Sequence, residues 1–377
     1  MPYLGMAAGP LLARKLLIGL SVCRIFRPSR AGHKSEGPVR GQEPGTVMMA
    51  SVRNRNEQAK RKPAMTFRLT TLVMACLLTA VLEAQSFVIY DPQEFELVVA
   101  QGSRLTKLAE GMQFVEGPVW VPAQDGFLVF SDIPADELKR WSADSEVGTY
   151  RKPSHQANGN CLDLEGRLIS AEHEGRRLAL TETDGQVRTL VDRYQGKRFN
   201  SPNDVVVRRD GTVWFTDPDY GLGNAQRELD GNYVFRFEPK TGDLRIVAKD
   251  FDKPNGLCFN PSGDRLYIAD SGRPHHIRLF QVQPDGVLSG GAVFHTVGRG
   301  APDGIRCDAD GRLYVAAGDG VLVVAADGSK IGKILMSETP ANLCFGGADN
   351  RTLFITARTS LYAIRLGAKG PGAIAKN

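Results

Sequence analysis

Six polar residues recur along the chain at similar intervals, and each stands just before or within an apolar segment. The six are Glu116, Asn158, Asn203, Asn255, Asp303 and Asn342. Successive members are separated by 42, 45, 52, 48 and 39 residues. Every one carries a side-chain oxygen, and none is a histidine or a cysteine. Hard oxygen donors select Ca²⁺, Mg²⁺ or Mn²⁺ over zinc or copper, so these residues could hold a divalent cation if the fold brings them together.

A repeated unit of short strands follows each of these residues. After Asn203, an apolar strand at 205–207 leads through the turn Asp210-Gly211 into a second strand at 213–217. Short strands with a period of roughly 40–50 residues are typical of propeller blades. Six copies predict an all-β, six-bladed β-propeller in which the six polar residues, here called the rim residues, meet at one end of a central metal channel. Asn and Asp also suit turns, so a structural role at some of these positions stays open.

The sixth predicted blade, which begins at Asn342, has one outer strand too few. Residues 95–110 precede the first blade and contain strand candidates at 95–99 and 106–108. We expect this segment to supply the missing strand, because a closed ring leaves no unpaired sheet edge.

The segments around the repeats differ from them in composition. Residues 1–64 hold 12 Lys or Arg and 3 Asp or Glu without strand alternation, so they are predicted to be disordered or an upstream extension that arises from the choice of start site. Residues 65–84 are typical of a signal peptide, with Arg68 before an apolar run at 69–82 and a cut expected after Ala84. The propeller is assigned to 85–367, and the tail 368–377 is predicted to be disordered.

The signal peptide predicts an exported protein, periplasmic or secreted, with no stable membrane span after cleavage. An uncleaved N-terminal anchor is the alternative. Beyond residue 64 the chain has 35 basic and 39 acidic residues, which gives a formal net charge of −4. A mildly acidic domain gives no indication of nucleic-acid binding. The oligomeric state is left open.

Five short motifs lie in order along the repeats. They are Glu116-Gly117-Pro118, Ser201-Pro202-Asn203-Asp204, Phe215-Thr216-Asp217-Pro218-Asp219-Tyr220-Gly221, Pro254-Asn255-Gly256-Leu257 and Pro302-Asp303-Gly304. Together they resemble the gluconolactonase, senescence-marker-protein and luciferin-regenerating-enzyme family over roughly residues 95–366. The resemblance implies a six-bladed propeller with one divalent cation, usually calcium, in its channel. It also implies that Glu116, Asn203, Asn255 and Asp303 bind the cation and that Asp303 is the general base.

By this resemblance the protein is a metal-dependent lactonase that hydrolyses a gluconolactone-like sugar lactone to the hydroxy acid. The cation would polarise the carbonyl group, and Asp303 would take a proton from the attacking water. Metal binding lowers the pKa of a carboxylate and makes it a weaker base, so water activated by the cation is the alternative. Mg²⁺, Mn²⁺ or Zn²⁺ could take the place of Ca²⁺.

Three further residues are predicted to bind the lactone substrate: Asn158, His173 and Arg198. Asn158 is a rim residue, His173 follows the second strand of blade two, and Arg198 precedes the loop that leads to Asn203. The alternatives are a turn role for Asn158 and a structural hydrogen bond for His173.

Two other functions stay open at this point. A related ester or phosphotriester hydrolase would use the same polarising rim. A non-catalytic, metal-containing propeller would bind a partner on its face, and that function predicts the loss of at least one rim carboxylate. Both Glu116 and Asp303 are present, which disfavours it.

Overall fold

The computed structural model describes residues 87–123 and 125–372. The predictions for 1–64, for the signal at 65–84 and for 373–377 lie outside these residues. Within them the chain is almost wholly β, and the one helix, α1 (Pro92–Val98), has 7 residues. A helix that could span a membrane is therefore not found in the described ranges.

Six antiparallel sheets follow one another along the chain and form six blades. Strands β1 (Phe87–Ile89) and β2 (Thr106–Ala109) precede the first blade. Blade one consists of β3 (Val115–Val121), β4 (Phe127–Asp132), β5 (Glu137–Ser142) and β6 (Ser145–Arg151), and blade two consists of β7 (Ala157–Leu162), β8 (Leu168–Glu172), β9 (Arg177–Thr181) and β10 (Val187–Val191). A small hairpin of β11 (Arg193–Tyr194) and β12 (Lys197–Arg198) follows. Blade three consists of β13 (Val205–Val207), β14 (Val213–Asp217), β15 (Tyr233–Glu238) and β16 (Asp243–Ala248).

Blades four to six continue the same pattern. Blade four consists of β17 (Pro254–Phe259), β18 (Arg265–Asp270), β19 (His276–Val282) and β20 (Leu288–Thr296). Blade five contains β21 (Pro302–Cys307), β22 (Leu313–Ala317), β23 (Gly320–Val324) and β24 (Lys330–Leu335). Blade six contains β25 (Pro340–Gly346), β26 (Thr352–Ala357) and β27 (Ser360–Arg365). The predicted all-β, six-bladed propeller is confirmed.

Strand β2 completes the sixth blade, as predicted from the missing strand. It pairs antiparallel with β27, with Thr106 opposite Ala363. Lys107 in β2 forms an ion pair with Glu338, Nζ to Oε1 3.0 Å, and the Tyr362 hydroxyl of β27 donates to the same carboxylate at 2.7 Å. The ring is thus closed by pairing a strand from before blade one with the last strand of the propeller.

The strand predicted at 95–99 is wrong, because this segment is helix α1. The Asp91 side chain accepts hydrogen bonds from the backbone N–H groups of Gln93 and Glu94, both at 3.1 Å, and Pro92 lies in the first turn. An N-cap acid followed by proline favours a helix start over a strand. Phe95 and Val98, three residues apart on one face, are buried.

The tail predicted as disordered from residue 368 is ordered over its first residues. Ala368 is buried, Lys369 accepts from the backbone N–H of Ala309, and Gly370 donates to Asn350. A β-carbon on Gly370 would lie 2.4 Å from Cβ of Phe345, so the close approach needs glycine. The prediction is wrong for 368–370, since composition alone does not reveal backbone docking onto a blade.

The hydrophobic core lies between neighbouring blades and fixes the strands that carry the rim residues. Trp214 of blade three packs with Leu257 of blade four in one cluster, and Tyr267 of blade four packs with Val315 of blade five in another. Because Leu257 lies two residues from Asn255, the seam between blades three and four also sets the position of a rim residue.

Candidate metal centre and active site

The rim residues begin the innermost strand of each blade, and the strands are irregular there. Five of the six first strands, β3, β7, β17, β21 and β25, shift register next to their rim residue. In blade three, Asn203 stands just before β13. A local bulge redirects a side chain from the sheet face, which lets each rim side chain turn toward the channel.

Glycines allow neighbouring rim segments to touch. Gly117, Gly159, Gly256 and Gly304 each follow a rim residue. A β-carbon on Gly117 would lie 1.9 Å from the Asn158 carbonyl oxygen, and one on Gly159 would lie 2.6 Å from that of Asn203. A β-carbon on Gly256 would lie 2.3 Å from the Asp303 carbonyl oxygen, and one on Gly304 would lie 2.2 Å from Asn342 Cγ. Each of these glycines therefore packs against the rim residue of the next blade.

Two further contacts supply the remaining links of the ring. Thr216 Oγ1 in blade three donates to the Asn255 carbonyl oxygen in blade four at 2.8 Å. The Asn342 side chain in blade six lies close enough to Glu116 in blade one to lower the pKa of its carboxyl group. The structure thus brings all six rim residues together around one axis.

The two rim carboxyl groups are held where ionisation is unfavourable. Burial raises the pKa of Glu116 to about 7, and the charge of Asp204 adds to this, although the Gly117 N–H donates to its Oε2 at 2.6 Å. Burial and the charge of Glu116 raise the pKa of Asp303 well above its usual value, against a hydrogen bond from Asn255. Two such groups need a cation or protons between them at neutral pH.

A third carboxylate beside the rim already has its own cation. Asp204 is fully buried and pairs with Arg306 of blade five, Nη1 to Oδ2 3.0 Å. Burial lowers the pKa of Arg306, but the charge and hydrogen bond of Asp204 outweigh it, so the pKa is raised overall. The sequence argument missed this pair, because nothing in the repeat marks Arg306 as a partner of a residue 102 positions away.

The donor set fits a divalent cation with oxygen ligands. When ionised, Glu116 and Asp303 would place two negative charges at the rim, and within the described residues neither forms an ion pair such as that of Asp204 with Arg306. Asn203 and Asn255 are buried beside them and offer neutral amide oxygens. Among the described residues, no group of three His, Cys, Asp or Glu side chains is arranged as a metal site.

Asn158 and His173 contact each other at the rim. The Asn158 Nδ2 donates to His173 Nε2 at 3.2 Å, and both side chains are buried. Burial lowers the pKa of His173 to about 4, so the ring is neutral at pH 7. The hydrogen bond fixes the Asn158 amide, which is the structural role weighed for His173. Substrate binding by either residue stays a prediction.

Arg198 lies apart from the ring of rim contacts within the described residues. Its Nη2 donates to the Gly175 carbonyl oxygen at 2.7 Å, and its backbone N–H donates to Glu228 at 2.8 Å. The first bond attaches the β11–β12 hairpin to the turn that follows β8, and the second attaches it to the loop between β14 and β15. Substrate binding by Arg198 also stays a prediction.

Acidic residues at the ends of second strands support the rim from outside. Asp132, Asp217 and Asp270 end β4, β14 and β18, and all three are buried. Each accepts backbone N–H groups of the segment that leads into its own blade; for Asp270 the donors are Asp252 and Lys253, at 2.9 and 2.8 Å. These carboxylates position the approach to each rim residue.

Tyr220 reaches the rim from the loop after β14. Its hydroxyl lies near the side chains of Ser271 and Asn255, both of which lower its pKa. Burial of the hydroxyl raises the pKa of Tyr220 to about 12, and the charge of Asp303 contributes, so the phenol stays protonated. The sequence placed this loop near the channel but gave no signal for this contact.

Comparisons with known proteins agree with the motifs. Residues 114–359 match the family model described as SMP-30/Gluconolactonase/LRE-like region. A gluconolactonase of Zymomonas mobilis is 33% identical in an alignment of 289 residues that covers 68% of this chain and 80% of the relative. The solved structure of a gluconolactonase from Xanthomonas campestris, described as important in glucose secondary metabolic pathways, is 35% identical with a TM-score of 0.71, over 75% of this chain and 95% of that one.

A more distant structure shares the fold. It is regucalcin, a calcium-binding protein from Agrobacterium tumefaciens, with 21% identity and a TM-score of 0.62 over 72% of this chain and 96% of that one.

Proposed function

Because the chain belongs to the SMP-30/gluconolactonase/LRE-like family and is a lactone-hydrolysing enzyme, we propose that it hydrolyses a sugar lactone at the rim with one bound Ca²⁺. The observation that carries the proposal is the pair of rim carboxyl groups, Glu116 buried and Asp303 half-buried, which have raised pKa values and lie among amide side chains. A purely structural propeller has no need for two carboxyl groups with raised pKa values on its axis.

Glu116, Asn203, Asn255 and Asp303 are the residues that would hold the cation. When bound in such a site, a divalent cation supplies Lewis-acid polarisation of a carbonyl oxygen. The two carboxylates would balance its charge, and the nearby Asn255 side chain favours the ionised form of Asp303. The enclosed position of the rim would also reduce the number of water molecules that compete for the reacting groups.

Asp303 is the proton carrier in this proposal. Water adds to the lactone carbonyl carbon while its proton passes to the Asp303 carboxylate. The bond between the carbonyl carbon and the ring oxygen then breaks, and the ring oxygen receives the proton from Asp303. The product is the open-chain hydroxy acid, which ionises and releases one proton to solution.

Acid release at constant pH tests the function. The full chain is assayed with a panel of aldonolactones as prepared, after treatment with a chelator, and after Ca²⁺ is restored. We expect hydrolysis above the spontaneous rate, loss on chelation and recovery with Ca²⁺. A rate equal to the spontaneous one with Ca²⁺ bound would refute the lactonase proposal, and full activity after complete metal removal would refute the role of the cation.

The variant Asp303→Asn tests the role of the base. Asparagine keeps an oxygen donor but cannot take a proton, so kcat should fall at least about 100-fold while Ca²⁺ binding persists. The control is Asp285→Asn, in an exposed turn where asparagine can still accept from the Val287 N–H, which should leave kcat unchanged. Unaltered turnover in Asp303→Asn would remove Asp303 as the base.

Export through the segment 65–84 is also part of the proposal. Its support is composition: a basic residue, an apolar run and a small residue at the cut. Mass spectrometry of the protein from its native host should find a mature chain that begins at Gln85. A mature chain that retains 65–84 would contradict cleavage.

A further inference from the structure

The loop that carries Tyr220 is fixed on both sides of this residue. The Ser201 hydroxyl donates to the Pro218 carbonyl oxygen at 2.6 Å and accepts from the Gly221 N–H at 2.9 Å. A β-carbon on Gly221 would lie 2.4 Å from Cγ of His173, so the loop rests against the residue that holds Asn158. Tyr220 therefore has a defined position beside the rim.

The hydroxyl of Tyr220 links three blades at their rim. It lies near the Asn255 and Ser271 side chains of blade four, which both act on the pKa of the phenol. The Ser271 hydroxyl in turn donates to the carbonyl oxygen of Pro302, the residue before Asp303. The polar end of Tyr220 is thus connected to two of the four proposed cation ligands.

The aromatic ring of Tyr220 faces solvent. The residue is 47% exposed, whereas Asn203 and Asn255 are 5% and 6% exposed. The Lys253 ammonium lies 5.5 Å from the ring centroid and pairs with Asp219, so the ring is supported by charged neighbours. Tyr220 therefore presents an accessible apolar face next to a buried polar site.

We propose that Tyr220 is a substrate-binding residue that selects polyhydroxylated lactones. Its ring would pack against the C–H groups of the sugar ring, and its hydroxyl would hydrogen-bond a substrate hydroxyl. A tyrosine offers both surfaces in one side chain. A hydrogen bond to a substrate hydroxyl also gives strong discrimination against analogues that lack it. This inference rests on the proposed lactonase function and names a specificity residue for it.

The test separates ring from hydroxyl. Tyr220→Phe and Tyr220→Ala are compared in the full, Ca²⁺-loaded chain by the KM and kcat for glucono-1,5-lactone. In Tyr220→Phe we expect KM to rise about tenfold, the equivalent of one good hydrogen bond, with kcat changed less than about threefold. Tyr220→Ala should raise KM further, because the packing surface is lost as well.

Tyr90 offers a matched control. It is 49% exposed, and the Lys330 ammonium lies 5.5 Å from its ring centroid, as Lys253 does from that of Tyr220. It follows β1, at the outer edge of blade five, so Tyr90→Phe and Tyr90→Ala should leave KM and kcat unchanged.

Two additional measurements exclude a merely structural role. The Ca²⁺ affinity, measured by competition with a fluorescent chelator, should change less than about threefold in Tyr220→Phe. Calorimetric binding of 1,5-anhydroglucitol, a sugar ring without the carbonyl, should weaken in step with KM. An unchanged KM, or a loss confined to Ca²⁺ affinity and kcat, would overturn the proposal. If the wild-type chain shows no lactone hydrolysis, the proposed function has failed, and the binding of the sugar ring still decides the role of Tyr220.

Discussion

Within the described residues, neither Glu116 nor Asp303 forms an ion pair, whereas two other acids of the propeller, Glu172 and Asp204, are paired with arginines. Glu172, which is fully buried, receives Arg151 at 2.8 Å and Arg177 at 2.6 Å. Asp204 receives Arg306. A buried carboxylate without such a partner lowers the stability of the folded state, and chains retain such groups mainly where function requires them.

The buried ring of His173 makes stability depend on pH. Its pKa is lowered to about 4 from 6.5, so between these values the unfolded chain binds a proton that the folded one does not. Stability from this group is present above pH 6.5 and is lost as the pH falls toward 4. The total is up to about 3 kcal/mol, at about 1.4 kcal/mol for each pKa unit.

Urea unfolding of the wild type and of His173→Gln between pH 7.5 and 4 measures this contribution. The free energy of unfolding should fall more steeply with acid in the wild type, because glutamine does not titrate. His155→Gln, in the neighbouring partly exposed loop, is the control and should follow the wild type. Parallel curves for wild type and His173→Gln would contradict the burial argument.

At the element scale, the sequence predicted the blades because each repeat contains its own local signals. The turn Asp210-Gly211 and the alternation around it are readable without any distant contact. Helix α1 and strand β1 were not predicted in this way. Strand β1 has only 3 residues and becomes a strand by pairing with β24, with Phe87 opposite Ile334. A segment so short has no period of its own, so only the partner edge decides its structure.

The glycines that follow rim residues allow close backbone contact between neighbouring blades, and this contact can be tested by substitution. A β-carbon on Gly256 would lie 2.3 Å from the Asp303 carbonyl oxygen and 2.8 Å from the Gly304 Cα, so Gly256→Ala must displace backbone. We expect it to lower the free energy of unfolding by about 1–3 kcal/mol, typical of overpacking, and to weaken Ca²⁺ binding.

Gly298→Ala is the matched control for this variant. A β-carbon there meets no atom within 4 Å, so the same substitution should be nearly neutral. Denaturant unfolding and Ca²⁺ titration of both variants provide the comparison. Equal effects at the two positions would show that loss of glycine flexibility, and not the contact between blades, is what matters.

For the whole molecule, the period along the chain predicted which residues would meet at the rim but not what lies between them. Subtraction of residue numbers is sufficient to place Glu116 and Asn342 on one axis. The pairing of Asp204 with Arg306 and the contact of Tyr220 with Asn255 depend on side-chain direction in different blades. Such contacts appear only once the ring is assembled, so a single sequence without partners gives no sign of them.

The proposed cation should stabilise the entire ring. A ligand that binds only the folded state raises the free energy of unfolding by about 2.7 kcal/mol at 100 times its Kd. Thermal unfolding in chelator and in Ca²⁺ should therefore show a higher Tm with Ca²⁺. An identical Tm in both conditions, with binding verified by titration, would contradict a site formed only in the folded ring.

The variant Glu116→Gln should separate the two effects of this carboxyl group. Without Ca²⁺ the variant should be more stable than the wild type at pH 8, because a buried charge is removed and the amide oxygen can still accept from the Gly117 N–H. With Ca²⁺ it should gain less stability than the wild type, because a ligand charge is lost. A variant that is less stable than the wild type in chelator would show that Glu116 stabilises the fold by itself.

The pairing of Thr106 with Ala363 has a consequence for how the enzyme comes into being. The ribosome has synthesised five blades before it makes β27, the strand that pairs with β2. Until then Glu116 has no Asn342 beside it, and the channel has a gap where the last blade belongs. A nascent chain or a truncated fragment that lacks the last strand should therefore be inactive, not partly active. We expect activity to appear only once the last strand is available and closes the ring.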